Sequence, residues 1–218
     1  MATKRAGGAI ATIVAVACLV LAGPATAAYE QRATILPAVS VAGTGFGTAI
    51  ALSADGATLV VGAPTSSRAY VFDRTGDAWT QRATLQPPTP ESGDGFGSAV
   101  ALSADGTTAV VGAPTRSANA GAAYVYRRGG GWADSSAGTA IAGAAGSFSG
   151  GAVAVSGDGG TIAVGRPGGA CGLATIAGGA TPGAVALYSG PLAPVPVPSA
   201  TLTAAATPEA GYLFGCAL

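Results

Sequence analysis

Histidine is absent from the 218 residues, methionine occurs once, and only 9% of the chain is charged, ten basic side chains against ten acidic. Each shortage closes a class of function. Without histidine the commonest general acid-base group is missing, and a nucleophilic serine or cysteine would have only a carboxylate as its base. Ten cations on a chain of zero net charge build no surface able to neutralise a run of phosphates, so nucleic acid is not expected as a partner. Aromatic residues make up 6%, and the apolar half is mostly Ala and Val, interrupted by 36 glycines and 14 prolines. Such a stock favours short strands and many turns over long helices, and it predicts an all-β fold.

Residues 1–28 read as an export signal. Lys4 and Arg5 open it, Ala9 to Ala22 is an uncharged apolar run, and Ala25-Thr26-Ala27-Ala28 offers the small residues of a cleavage site. Gly23-Pro24 interrupts the run before it reaches the roughly 20 residues that a membrane span needs, so no span is expected after signal removal. Cys18 is disfavoured as a lipid-attachment site, because the apolar run continues past it and Ala15 stands three residues before it. Cleavage after Ala27 or Ala28 leaves eight Arg against ten Asp or Glu, a net charge of −2, and two cysteines, Cys171 and Cys216. One disulfide between them is open in an exported chain, and so are two unpaired thiols.

What the chain has in abundance is a repeat. GFGTAIALSADGATLVVGAPT at 45–65 returns as GFGSAVALSADGTTAVVGAPT at 95–115, with 17 of 21 positions identical. A strand-rich period of about 50 residues is the mark of propeller blades, each a four-stranded sheet that cannot bury both faces alone. In the second copy the spacing predicts strands over 98–103 and 107–112, joined at Asp105-Gly106, where a hairpin wants residues tolerant of positive φ. A third strand follows at Ala122 to Arg127. The first copy shows the fourth strand at Trp79 to Leu85, ended by Pro87-Pro88 because proline cannot donate to a ladder. A degenerate third unit places Phe148 at the GFG phenylalanine, a hairpin at Asp158-Gly159, and strands at 184–188 and 200–204. The units run at about 37–86, 87–141 and 142–204, with a partial unit at 205–218. An isolated fourth strand is expected at 31–36. Three blades and two fragments do not close a ring, which leaves a longer polypeptide, two chains completing one ring by self-association, or an open arc with unpaired edges.

Phe46-Gly47 with Gly62-Ala63-Pro64, and again Phe96-Gly97 with Gly112-Ala113-Pro114, resemble the FG-GAP repeat over about residues 31–218. That resemblance implies an incomplete propeller of the seven-bladed type found at the N-terminus of integrin α chains, in a secreted or cell-surface protein. Several integrin blades hold calcium in the hairpin between the first two strands. Here Asp55, Asp105 and Asp158 each stand as the one carboxylate of such a hairpin, whereas calcium takes six to eight oxygens. They are therefore read as turn residues first and as weak calcium candidates second, and no cofactor is expected. The resemblance places the ligand face in the loops 37–44, 87–94, 115–121 and 166–183. Its exposed contact candidates are Arg68, Glu91, Asp94, Arg116 and Arg166. Phe46, Trp79, Phe96, Tyr124 and Phe148 are expected to pack between blades. A non-catalytic binding or adhesion module for an extracellular protein or glycan follows from this reading. An accessory region of a secreted hydrolase or lyase with its catalytic domain elsewhere, and a structural surface-layer array, are the alternatives.

Overall fold

In a computed structural model, the described residues are 30–39, 42–135, 137–168, 183–190 and 196–203. The expected export signal, Cys171, Cys216, the expected partial unit 205–218 and most of the 166–183 loop lie outside them. The chain divides into two compact units, Met1–Arg32 and Ala33–Leu218. Of the first, only residues 30–32 are described, with Arg32 and Glu30 in an exposed ion pair at 3.7 Å.

The second unit carries three antiparallel four-stranded sheets. Blade 1 consists of β1 (Ile50–Leu52), β2 (Thr58–Ala63), β3 (Arg68–Thr75) and β4 (Ala78–Leu85). Blade 2 follows with β5 (Ala99–Leu102), β6 (Thr108–Ala113), β7 (Ala122–Arg127) and β8 (Thr139–Ala142), and blade 3 with β9 (Val153–Val155), β10 (Thr161–Arg166), β11 (Ala184–Ser189) and β12 (Ala200–Thr203). Each sheet is ordered by sequence, the up-and-down meander of a propeller blade, and the three described sheets do not close into a ring. Hairpins and third strands match the spacing of the repeat. In β4, Arg82 is an extra residue between the pairs Val71↔Ala83 and Phe72↔Gln81, a bulge that bends the strand.

Small residues and β-branched chains suit these strands because the faces that meet between neighbouring blades are buried. Val60, Val71 and Leu85 of blade 1 close on Phe96, Val111 and Tyr124 of blade 2, and the opposite face of blade 2 packs Val110, Val125 and Ile141 on Ile162, Val164 and Tyr188. Phe96 is fully buried and stands edge-on to Tyr124 and Tyr126, with ring centroids 5.6 and 6.3 Å away. Phe46 stands in the same way against Tyr70 and Phe72 with Trp79 beside them, so Phe96 and Tyr124 pack between blades as expected, whereas Phe46 and Trp79 pack on blade 1 itself, because no blade precedes it among the described residues.

The two ends of the sequence motif meet across this interface. A Cβ on Gly62 would lie 1.9 Å from the carbonyl oxygen of Gly97 in the next blade, and one on Gly112 would lie 2.0 Å from that of Gly150. Within each blade the same glycines are joined again, Gly47, Gly97 and Gly150 donating to the carbonyls of Gly62, Gly112 and Gly165 at 2.9–3.0 Å. The FG and GAP glycines thus exist for each other: one takes a positive φ and the other yields room for its backbone.

Three expectations change. Residues 31–36 form no strand, because a fourth strand pairs with the third strand of its own blade and no such partner stands among the described residues. The fourth strand of blade 2, β8, had no reading in the sequence; its TAIA run is too short and plain to stand out. In the third unit Phe148 does not take the place of Phe96. Gly150 repeats the bonding of Gly97, so Ser149 occupies the phenylalanine position and Phe148 the preceding glycine position, at φ +50. Ser149 is fully buried, and its hydroxyl has no hydrogen-bond partner among the described residues.

Candidate ligand face

The three Asp-Gly hairpins are built alike. Ser53 donates its hydroxyl to Asp55 Oδ1 at 2.6 Å and accepts from the Thr58 amide at 2.9 Å, while Asp55 Oδ1 also accepts from the Ala57 amide at 2.9 Å. Ser103, Asp105 and Thr107 repeat the arrangement, as do Ser156, Asp158 and Gly160. Hydrogen bonds from the serine hydroxyl, then from the backbone, hold all three carboxyls below the ordinary 3.8. One oxygen of each carboxylate is therefore committed to its own turn. Adjacent hairpins are also tied together, Ala54 donating to the Ala104 carbonyl and Ala104 to that of Gly157, each at 3.0 Å.

Three of the five contact candidates converge. Arg116 follows β6 and reaches back to the loop that enters blade 2, donating to the Thr89 carbonyl at 2.8 Å and the Thr89 hydroxyl at 2.6 Å and pairing with Glu91 at 3.0 Å. Its second nitrogen lies 3.8 Å from Asp94 Oδ2, and the guanidinium sits 5.8 Å from the centroid of the Tyr124 ring. Asp94 is 1% exposed, which corrects its assignment as a surface contact. Its Oδ1 accepts from the Ser67 hydroxyl at 2.7 Å and the Phe96 amide at 2.9 Å, so this buried carboxylate fixes the entry to the FG turn. Arg116 is half-buried and fully engaged. Glu91 remains exposed and accepts from the Ser117 amide at 3.2 Å. That bond steadies Ser117, Ala118 and Asn119, three consecutive residues at φ 49, 52 and 70. These residues are a lock between two loops, with both terminal nitrogens of Arg116 engaged inside the fold.

Arg166 is partly engaged, its Nε buried without a hydrogen-bond partner among the described residues. It is half-buried and donates to the Tyr188 hydroxyl, which corrects its reading as an exposed contact.

Arg68 differs from all of these. It begins β3, is exposed, and its guanidinium has no ion-pair or hydrogen-bond partner among the described residues. It lines a cleft of about 430 Å³ together with Tyr70, Gln81, Thr84, Gln86 and Asp134, roofed by Ala38 and Val39. Cross-strand pairing puts Tyr70 opposite Thr84, and Asp134 is brought in from blade 2, where its Oδ1 accepts from the Thr84 amide at 2.6 Å. Ser135 continues that contact, accepting from the Gln86 amide at 2.9 Å and donating its own amide to Thr84 at 3.0 Å. Ala38 N donates to Gln81 Oε1 at 2.8 Å, which holds the roof. Of this group only Arg68 stood out in the sequence. Gln81, Gln86 and Asp134 were missed because their meeting depends on β3–β4 register and on a contact from the next blade.

A second cleft, of about 350 Å³, occupies the same place in blade 2. Pro88 and Thr89 replace Ala38 and Val39, Tyr124 replaces Tyr70, and Ala122, Ala140 and Ala142 stand where Arg68, Thr84 and Gln86 stand in blade 1. The two clefts share a frame and differ in chemistry, since blade 2 offers methyl groups where blade 1 offers a cation, an amide and a hydroxyl.

Among the described residues no group of three or more acidic or cysteine side chains is placed to hold a metal ion, and no helix is long and apolar enough to cross a membrane. The family model described as FG-GAP repeat matches residues 79–126, from β4 of blade 1 through β7 of blade 2. Among solved structures the chain is similar to hydrazine synthase of Kuenenia stuttgartiensis, at 15% identity and a TM-score of 0.40, over 74% of this chain. The chain spans 36% of that one. No curated protein matches it in sequence.

Proposed function

We propose that this FG-GAP repeat protein is a non-catalytic binding or adhesion module working at or outside the cell surface. The observation that carries the reading is the blade 1 cleft, where side chains from two blades and the entering segment surround an unpartnered cation. Blades locked by interblade glycines form a rigid support, and recognition residues are best held on such a support. The absence of histidine from the chain agrees with binding rather than proton transfer. An export signal at residues 1–28 and the extracellular habit of the repeat support the location.

The test is an array of immobilised glycans and extracellular proteins probed with the purified chain. Saturable binding to any of them supports the reading, and unsaturable signal across the whole array refutes it.

Ordered self-association is favoured by a separate observation. Ile50 and Leu52 of β1 are 69% and 54% exposed, whereas Val100 and Leu102, 50 residues later, are partly buried against blade 1. Gly47 holds φ +91 like Gly97, yet nothing lies within 4 Å of where its Cβ would be. This face of blade 1 has the form that blade 2 uses to receive a blade, so a second copy is the fitting occupant. Sedimentation velocity checks it: the chain is expected to associate with rising concentration and Ile50→Lys/Leu52→Lys to remain monomeric, and a monomeric parent chain would refute it.

A further inference from the structure

We infer that the blade 1 cleft is a site for an acidic saccharide, with Arg68 as counter-ion to the sugar carboxylate. The inference rests on the binding-module reading and names the ligand class for it. Two repeats of one frame provide an internal comparison. In blade 2 the arginine near the cleft, Arg116, is consumed by Thr89, Glu91 and Asp94, and the β7 and β8 positions that line it are alanine. In blade 1 an arginine stands on the sheet itself, at the β3 position held by Ala122 in blade 2, and its guanidinium has no ion-pair or hydrogen-bond partner among the described residues. A guanidinium at a concave site can meet both oxygens of a carboxylate that enters it.

The rest of the lining selects within the carboxylate class. Tyr70 and Gln86 bring a hydroxyl and an amide with no side-chain hydrogen-bond partner among the described residues, and Thr84 and Gln81 add further polar heads, bonded to each other at 3.3 Å. These are partners for sugar hydroxyls. Asp134, with one oxygen already on the Thr84 amide, keeps the other for a hydroxyl. The site therefore suits carboxylates set among hydroxyls better than the acidic residues of a peptide, which bring no hydroxyls. Its volume of about 430 Å³ falls in the range of small-ligand sites, roughly 300–1,000 Å³.

Calorimetric titration of the purified full chain at low ionic strength tests this, with galacturonic acid trimer, its methyl ester, galactose trimer and triglutamate as probes. The acid trimer is expected to bind saturably, and the ester, the neutral trimer and triglutamate at least tenfold more weakly. Arg68→Gln is expected to lose the acid trimer by tenfold or more, Gln86→Ala to weaken it less, and Arg128→Gln, an exposed arginine outside the cleft, to change nothing. Since Arg68 has no partner to lose, its variant keeps the parent's urea midpoint, which separates lost binding from lost folding. Unsaturable binding of the acid trimer, equal binding of acid and ester, triglutamate binding as tightly, or binding indifferent to Arg68→Gln overturns the inference. A saturable ligand from the array that ignores Arg68→Gln leaves the binding-module reading standing and removes this site from it.

Discussion

Replacing Gly97 and Gly47 each by alanine separates backbone strain from interblade contact. The two glycines are repeat equivalents with nearly the same conformation, φ +94 and +91. Alanine at either position takes on the left-handed penalty, about 1–2 kcal/mol. Their surroundings differ. A Cβ on Gly97 would meet the Arg68 carbonyl at 2.5 Å and the Ala63 amide nitrogen at 2.9 Å, both backbone atoms that no rotamer change moves aside, whereas a Cβ on Gly47 meets nothing within 4 Å. Overpacking of this kind costs about 1–3 kcal/mol more. Gly97→Ala is then expected to lose about 2–5 kcal/mol and Gly47→Ala about 1–2 kcal/mol. Urea unfolding followed by circular dichroism reads both, provided the slopes agree so that midpoints compare. Equal losses in the two variants would refute the claim that the FG glycine serves contact with the preceding blade.

Three further outcomes follow from the same interfaces. Ser149→Ala removes a buried hydroxyl without a partner and is expected to stabilise the chain by about 1 kcal/mol, visible as a raised urea midpoint; a lowered midpoint would mean that the hydroxyl is satisfied. Arg116→Met strips the guanidinium from Asp94 and from the Thr89 carbonyl and is expected to cost about 1–3 kcal/mol, with hydrogen exchange rising in 87–94 and 115–121 before the strands. The hairpin carboxyls set an acid limb: their folded pKa values lie below the unfolded 3.8, so the stability they add is complete above that value and is lost as pH falls through the folded pKa. Asp105→Ala should flatten this limb in an acid titration followed by circular dichroism, and an unchanged limb would count against the serine-aspartate bonds.

Much of the architecture was legible because it rests on chemistry between near neighbours in sequence. Asp105-Gly106 between two β-rich runs specifies a hairpin, and Ala122 to Arg127 carries the aromatic and β-branched residues that favour a strand. Even the turn role of Asp55, Asp105 and Asp158 could be anticipated, since their partners are two residues away. The third unit shows where such reading slips. A single aromatic residue drew the alignment to Phe148, while the backbone bond from Gly150 to Gly165 sets the register one residue further on, and a one-residue shift changes which side chain enters the core.

By itself, then, the sequence determined that this chain folds as repeated four-stranded blades joined by Asp-Gly hairpins, because strand periodicity and turn preference act over a few residues. Only the tertiary structure decided what the repeated residues touch. Gly62 faces Gly97 of the next blade, Asp94 is buried under Arg116 and Ser67, and the Arg68 guanidinium, without a partner among the described residues, shares a cleft with a side chain 66 residues away. Those outcomes depend on how one blade is laid against another. Two copies of nearly one sentence consequently enclose clefts of different chemistry, polar in blade 1 and lined by alanine in blade 2.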